Sequence, residues 1–113
     1  MHELALAEGV LGICRDHAGR AGSDRVLSVR LEIGALSHVD PDALAFSFTA
    51  VARGTLAEGA ELQIDRVPGR GWCHDCGHEI SVPSLGAACP DCGGYKLQVT
   101  GGDQMRVKEM EVA

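Results

Sequence analysis

The feature that most constrains this 113-residue chain is a pair of short cysteine motifs. The segments CHDCG (residues 73–77) and CPDCG (residues 89–93) share one spacing. A turn of this kind points both of its sulfurs at one ion, and the glycine that follows permits a conformation that other residues resist. Four thiolates predict a closed tetrahedral site with no position for water, which is typical of structural zinc. The predicted zinc ligands are Cys73, Cys76, Cys89 and Cys92.

Two questions about this site stay open at the level of sequence. Iron in a rubredoxin-like site has the same four-sulfur geometry, so the donor set alone does not exclude it. His74 and His78 flank the first motif. We predict that both are exposed loop histidines, and the alternative is that one of them replaces a cysteine. Because the segment has almost no apolar core, we expect it to unfold when the metal is lost.

Two other segments have the spacing of amphipathic helices. From residue 3 to about residue 19, apolar residues recur at three- and four-residue steps, which predicts one buried stripe. The predicted stripe consists of Leu4, Ala7, Leu11, Cys14 and Ala18. The second helix is predicted to begin at Asp40, as an N-cap followed by Pro41 in the first turn, and to end at Gly54.

Three segments alternate like β-strands with one buried face, namely residues 26–33, 61–67 and 104–112. In the first strand, we expect the inward side chains to be Leu27, Val29, Leu31 and Ile33. The elements together predict an α+β fold, in which a three-stranded sheet is packed by two helices and carries an inserted zinc-ribbon-like module. The predicted domains are residues 1–67 plus 98–113, which form a discontinuous α+β domain, and residues 68–97, which form the zinc-binding domain.

Charge and composition exclude several classes of function. Sixteen acidic residues outnumber ten basic ones, and no basic cluster is long enough to follow a phosphate backbone, so we expect no nucleic-acid partner. The chain shows no basic leader segment and no apolar run that would cross a bilayer, so we expect a cytoplasmic protein without a membrane partner. It also lacks a nucleophile with an adjacent base and a phosphate-binding loop, so we do not expect an enzyme.

The first three residues, Met1, His2 and Glu3, form an unusual set of donor groups. The terminal amine, the His2 amide nitrogen and the His2 imidazole can close two fused chelate rings once the amine and the amide lose their protons. Nitrogen donors in one plane suit Ni(II) or Cu(II). The competing interpretation is that terminal residues fray, and that Glu3 only complements the helix macrodipole.

These features in combination resemble the HypA/HybF family of hydrogenase nickel incorporation proteins. The resemblance rests on MHEL at the start, VRLEIGALSHVDPDALAFSF, the CxxCG and CPxCGG motifs and the closing strand, and it covers essentially the whole chain. It implies a nickel metallochaperone for [NiFe]-hydrogenase maturation. Nickel would be bound at Met1, His2 and Glu3, and structural zinc at the four cysteines.

The resemblance also implies how the metal is used. Ni(II) is the transported ion and is held weakly enough to be passed on. The implied partners are a GTPase of the nickel pathway and the hydrogenase large-subunit precursor, and we expect a monomer or a weak homodimer. His38 and Asp40 are further nickel candidates, although we favour a helix cap for Asp40 and an exposed loop position for His38.

A second hypothesis is a zinc-ribbon adaptor that binds protein or nucleic acid, with the MHE start incidental. The acidic balance of the chain counts against nucleic acid as the partner. An adaptor of this kind takes up zinc and no nickel, so metal uptake separates the two hypotheses.

Overall fold

The computed structural model describes residues 2–113, and Met1 lies outside the described residues. In chain order, the elements are α1 (His2–Arg20), β1 (Val26–Gly34), α2 (Pro41–Ala52), β2 (Glu61–Val67), β3 (Arg70–Cys73), β4 (His78–Ser81), β5 (Leu97–Gly101) and β6 (Met105–Val112). The strands form two three-stranded sheets, in the orders β2-β1-β6 and β4-β3-β5. The predicted α+β fold is confirmed.

Contacts divide the chain into two compact units. The first unit comprises the chain up to Leu31, Asp40–Ile64 and Val107–Ala113, and the second comprises Glu32–Val39 and Asp65–Arg106. The predicted domain boundaries at residues 68 and 97 stay a prediction. Within residues 2–113, no helix combines the length and the apolar character needed to cross a membrane.

In the first unit, α1 packs against α2 around an apolar core. The core residues of the two helices are Ala7, Val10, Leu11, Cys14, Ala18, Leu44, Phe48 and Ala52. The predicted burial of Leu4 is wrong, because Leu4 lies in the first turn of α1 and is 49% exposed. Burial raises the pKa of the Cys14 thiol, as expected for a packed core cysteine.

Strand β1 of the first sheet also contributes buried side chains. Val29 and Leu31 are fully buried, as predicted. The predicted burial of Leu27 is wrong, because it is 40% exposed and Val26 is buried in its place. The amide of Val26 donates to the carbonyl of Leu56, 2.9 Å away, and inward alternation begins only at Val29.

The second helix begins as its sequence predicts. Asp40 is the N-cap, and its Oδ1 accepts hydrogen bonds from the amides of Asp42, at 2.9 Å, and Ala43, at 3.3 Å. These bonds pair two of the amides that the first turn of a helix leaves without acceptors. After the helix, Gly54 has φ 73°, a conformation that favours glycine.

The second unit contains the sheet that was not predicted. Strand β3 pairs antiparallel with both β4 and β5. The buried apolar residues of this unit form one cluster, which we call the module core. It consists of Leu36, Cys73, Ile80, Val82 and Cys89, with Cys76, Leu97 and Val99 packed against it. At Gly102 a β-carbon would stand 2.3 Å from the carbonyl oxygen of Pro68, so only glycine fits there.

Candidate metal centres

The two cysteine motifs fold as two copies of one turn. The amide of Gly77 donates to the carbonyl of Cys73 at 2.7 Å, and the amide of Gly93 donates to that of Cys89 at 2.8 Å. Both glycines have positive φ, 73° and 74°, which explains the glycine after each CxxC. Each turn therefore places its two cysteines on the same side of the backbone.

The four sulfurs converge on one point. The atoms lie within 4.8 Å of one another, with 3.7 Å between the sulfurs of Cys73 and Cys92 and 3.8 Å between those of Cys76 and Cys89. A tetrahedral ion with Zn–S bonds of about 2.3 Å requires sulfurs about 3.8 Å apart. Disulfide-bonded sulfurs would be only about 2.05 Å apart. These spacings fit a divalent ion bound by four thiolates.

Backbone amides donate hydrogen bonds to sulfurs of both cysteine motifs. The amide of Cys76 donates to Sγ of Cys73 at 3.3 Å, and the amide of Gly94 donates to Sγ of Cys92 at 3.4 Å. Hydrogen bonds to a thiolate favour its charged form, which is the form that binds metal. Gly94 was missed in the sequence. Its signal was the double glycine of CPDCGG, because a β-carbon there would lie 2.7 Å from Oδ2 of Asp75.

The thiols differ in how readily they ionise. A hydrogen bond to Cys92, together with burial, raises the pKa of Cys76. Burial would also raise the pKa of Cys89, but the amides of Cys92 and Asp91 donate to it and lower its pKa to about 7. Near neutral pH a large fraction of Cys89 is therefore already thiolate, the form that binds a cation.

The cluster has a buried side and an exposed side. Cys73 and Cys89 are buried, whereas Cys92 is exposed. His74 and His78 are both exposed, as predicted. The predicted loop position of His78 is wrong, because His78 is the first residue of β4 and pairs with Cys73. Its Nε2 lies 3.5 Å from Oδ2 of Asp91. With four sulfur donors and no place for a water ligand, the arrangement suits a structural ion better than a catalytic one.

The amino-terminal residues form a second, smaller set of donors. His2 and Glu3 begin α1; the His2 side chain is 55% exposed, and its Nδ1 lies 3.4 Å from Oε2 of Glu3. The same carboxylate oxygen accepts a hydrogen bond from the amide of Asp40 at 3.4 Å. The predicted donors of Met1 lie outside the described residues.

Several groups set the charge state of Glu3. Burial would raise the pKa of its carboxyl, but the amides of Asp40 and of Glu3 itself donate to it, and the His2 imidazole lies beside it. The net effect lowers the pKa of Glu3 below its ordinary value. Glu3 is therefore a carboxylate at neutral pH and presents a negative charge next to His2.

The other two nickel candidates lie in and after the loop between β1 and α2. The Oδ1 atom of Asp40 is engaged as the N-cap. His38 is exposed and has φ 61°. Among residues 2–113, the four cysteines form the one group of three or more His, Cys, Asp or Glu side chains close enough to share an ion. Within residues 2–113, His2 and Glu3 lie together, and they belong to no group of three or more such side chains close enough to share an ion.

The chain is similar to known proteins over nearly its whole length. Residues 1–112 match the family described as "Hydrogenase/urease nickel incorporation, metallochaperone, hypA". Over 112 residues, the chain is 52% identical to a hydrogenase maturation factor HypA from Bradyrhizobium diazoefficiens and 48% identical to one from Rhizobium leguminosarum. Each alignment covers 99% of both chains.

The fold is also that of solved structures. The solution structure of the Ni metallochaperone HypA from Helicobacter pylori superposes with a TM-score of 0.71 at 23% identity. That alignment covers 97% of this chain and 96% of the other. A second HypA solution structure gives a TM-score of 0.73, with 100% and 97% coverage. The chain thus belongs to the HypA family of hydrogenase/urease nickel incorporation metallochaperones.

Proposed function

We propose that this protein binds one Ni(II) ion at its amino-terminal residues and delivers it during [NiFe]-hydrogenase maturation. The proposed donors are the α-amine of Met1, the amide and imidazole nitrogens of His2 and the carboxylate of Glu3. The observation that carries the proposal is the pairing of an exposed His2 imidazole with the Glu3 carboxylate, 3.4 Å apart, at the start of α1. Nitrogen donors in a plane suit Ni(II).

The position at a helix start supports this chemistry. The first four amides of a helix have no acceptor within the helix, so the His2 amide can lose its proton and bind metal without breaking a helical hydrogen bond. The positive end of the helix dipole lies here and opposes a bound cation. The Glu3 carboxylate offsets part of this repulsion. A site balanced in this way suits an ion that is captured and then passed on.

His38 and Asp40 are proposed as additional donors. Because Oδ1 of Asp40 caps α2, coordination by this residue uses Oδ2 or replaces the cap. The amide of Asp40 already donates to the Glu3 carboxylate, so Asp40 lies beside the donor pair. The three proposed residues at the chain start remain the main site.

The four cysteines are proposed to hold one structural Zn(II), which stabilises the fold of the segment around them. Sulfur separations of 3.7 and 3.8 Å support this assignment. In this scheme residues 1–67 plus 98–113 form the nickel-binding domain and residues 68–97 the zinc-binding domain. The two ions have different tasks, since one is resident and the other is cargo.

Delivery is proposed to occur by ligand exchange in the cytoplasm, with no reaction catalysed by this chain. The partners are a GTPase of the nickel pathway and the hydrogenase large-subunit precursor, and the protein acts as a monomer or a weak homodimer. An exposed donor set favours exchange, because an incoming ligand can reach the ion directly. GTP hydrolysis belongs to the partner.

Equilibrium dialysis against Ni(II) and Zn(II) tests the proposal. Protein that begins at Met1 should take up one zinc and one nickel, whereas protein with a peptide fused before Met1 should take up one zinc and lose the nickel. The same peptide fused after Ala113 is the control and should leave both ions in place. Equal nickel uptake by the two fusions would refute the terminal site, and zinc uptake alone by all three would favour the adaptor.

A further inference from the structure

One residue of the module core comes from a distant part of the sequence. Leu36 follows β1 and is 3% exposed, yet it belongs to the same buried cluster as Cys73 and Cys89. All other members of that cluster lie between residues 73 and 99. The buried cluster that contains two of the four cysteines therefore includes one side chain from outside the cysteine segment.

Backbone hydrogen bonds fix Leu36 in this position. Its amide donates to the carbonyl of Gly102 at 2.7 Å, and the amide of Ala35 donates to that of Val67 at 2.8 Å. The amide of Gly34 donates to the carbonyl of Gln104 at 2.9 Å. The three consecutive amides thus bind the chain on both sides of the cysteine segment, before β3 and after β5.

The side chain of Leu36 packs directly on the entrance to the module. A β-carbon at Gly69 would lie only 2.8 Å from Cγ and Cδ1 of Leu36, so the leucine rests on the Gly69 backbone. The carbonyl of Gly69 accepts from the amide of Val82 at 3.0 Å, and Val82 is part of the module core. Leu36 therefore has little room to move away from the cluster.

We propose that Leu36 is a positioning residue for the four-cysteine centre, and that it slows the escape of the bound ion by closing the apolar wall around Cys73 and Cys89. An apolar shell controls how solvent reaches a metal site. Truncating a buried leucine leaves a cavity that its neighbours fill only in part, which loosens the side chains around it. The proposal rests on metal binding by the four cysteines as proposed above.

The test measures the rate at which Co(II), loaded into the full-length protein, is lost to an excess of chelator. The absorption of Co(II) bound by four thiolates reports directly on how much ion is still bound at the four cysteines. For Leu36→Ala we expect release about 10- to 100-fold faster than in the unchanged protein. Leu36→Val should give an intermediate rate, and Leu36→Met, which conserves volume, should restore slow release.

Two variants separate this role from general destabilisation. Leu85→Ala truncates a leucine that is 50% exposed in the second unit, and its release rate should be unchanged. Leu44→Ala truncates a fully buried leucine of α2 in the first unit, and should lower the unfolding midpoint without speeding release.

Each result bears on one claim. The proposal would be overturned if Leu36→Ala released Co(II) no faster than Leu85→Ala. It would also be overturned if Leu44→Ala released Co(II) as fast as Leu36→Ala. Should Leu36→Ala fail to fold, the rates of Leu36→Val and Leu36→Met decide. The metal content of the unchanged protein is measured separately and tests whether the native ion is zinc. If the native ion is not zinc, the Co(II) release rates still test the role of Leu36.

Discussion

The carboxylate of Glu3 accepts a hydrogen bond from the backbone amide of Asp40, with 3.4 Å between N and Oε2. The two residues begin the two helices of the chain, since Glu3 lies in the first turn of α1 and Asp40 caps α2. The bond thus holds the acid of the MHE motif close to the N-cap residue of α2. The Glu3 carboxylate lies beside the exposed His2 ring.

Glu3→Gln should make stability less dependent on pH. The folded-state pKa of Glu3 lies below its ordinary value of 4.5, so its ionised form stabilises the fold above about pH 4.5. That contribution is lost as the pH falls through the lower folded-state pKa. Urea unfolding at pH 7 should show Glu3→Gln to be less stable than the unchanged protein, and the two should converge in acid. Glu8→Gln, exposed in the same helix, is the control; a difference that persists in acid would contradict the assignment.

His2→Ala should weaken nickel binding at least tenfold, or about 1.4 kcal/mol, because it removes the imidazole donor from the proposed chelate. Zinc content should stay at one ion per chain. Isothermal titration with Ni(II) makes the measurement. His17→Ala removes an exposed histidine from the last turn of the same helix and should titrate like the unchanged protein. A His2→Ala protein that binds nickel with unchanged affinity would exclude His2 as a ligand.

Two substitutions at Asp40 separate a helix cap from a nickel ligand. Asp40→Ala should lower the free energy of unfolding by about 1 kcal/mol, since it removes the acceptor for two first-turn amides. Asp40→Asn keeps an oxygen that caps equally well and should preserve stability. Denaturant titration measures both. If nickel affinity nevertheless falls in Asp40→Asn, then the carboxylate binds nickel as well as capping the helix.

Removal of the ion from the four cysteines should unfold the second sheet, because that part of the chain is held together by few apolar residues besides its cysteines. Trp72, the single tryptophan, pairs with Glu79 and Gln98 in this sheet and reports on it. A strong chelator should shift its emission to the red while the helical circular dichroism of α1 and α2 is retained. Cys14→Ala should respond in the same way, and an unchanged emission after complete removal of metal would refute the structural role.

Much of the fold could be predicted because its signals are local. The bounds of α1, α2, β1 and β2 follow from spacing and capping, and the Asp40-Pro41 start of α2 is one such signal. Strands β3, β4 and β5 were missed, since four or five residues are too few to show a period. Leu27 and Leu4 were wrongly expected to be buried, because a periodic pattern does not tell which of its outer positions a neighbouring element covers.

The candidate sites likewise differ in whether their signals in the sequence are local. The four cysteines could be found from their spacing, since the turn that joins each pair is local. The contact between Glu3 and Asp40 and the burial of Leu36 could not, because each depends on residues far apart in sequence. For Leu36 the sequence offered only an apolar residue in a predicted loop, which by itself has no unusual meaning.

The turns at Gly77 and Gly93 are closed by main-chain hydrogen bonds to the carbonyls of Cys73 and Cys89. The outline of the sulfur cage is therefore set by the backbone, and only cysteine side-chain torsions need to change to admit a larger thiophilic ion. Cadmium fits that description. Exchange with cadmium would introduce an NMR-active nucleus whose chemical shift reports on all four sulfurs at once while the peptide around it keeps its shape.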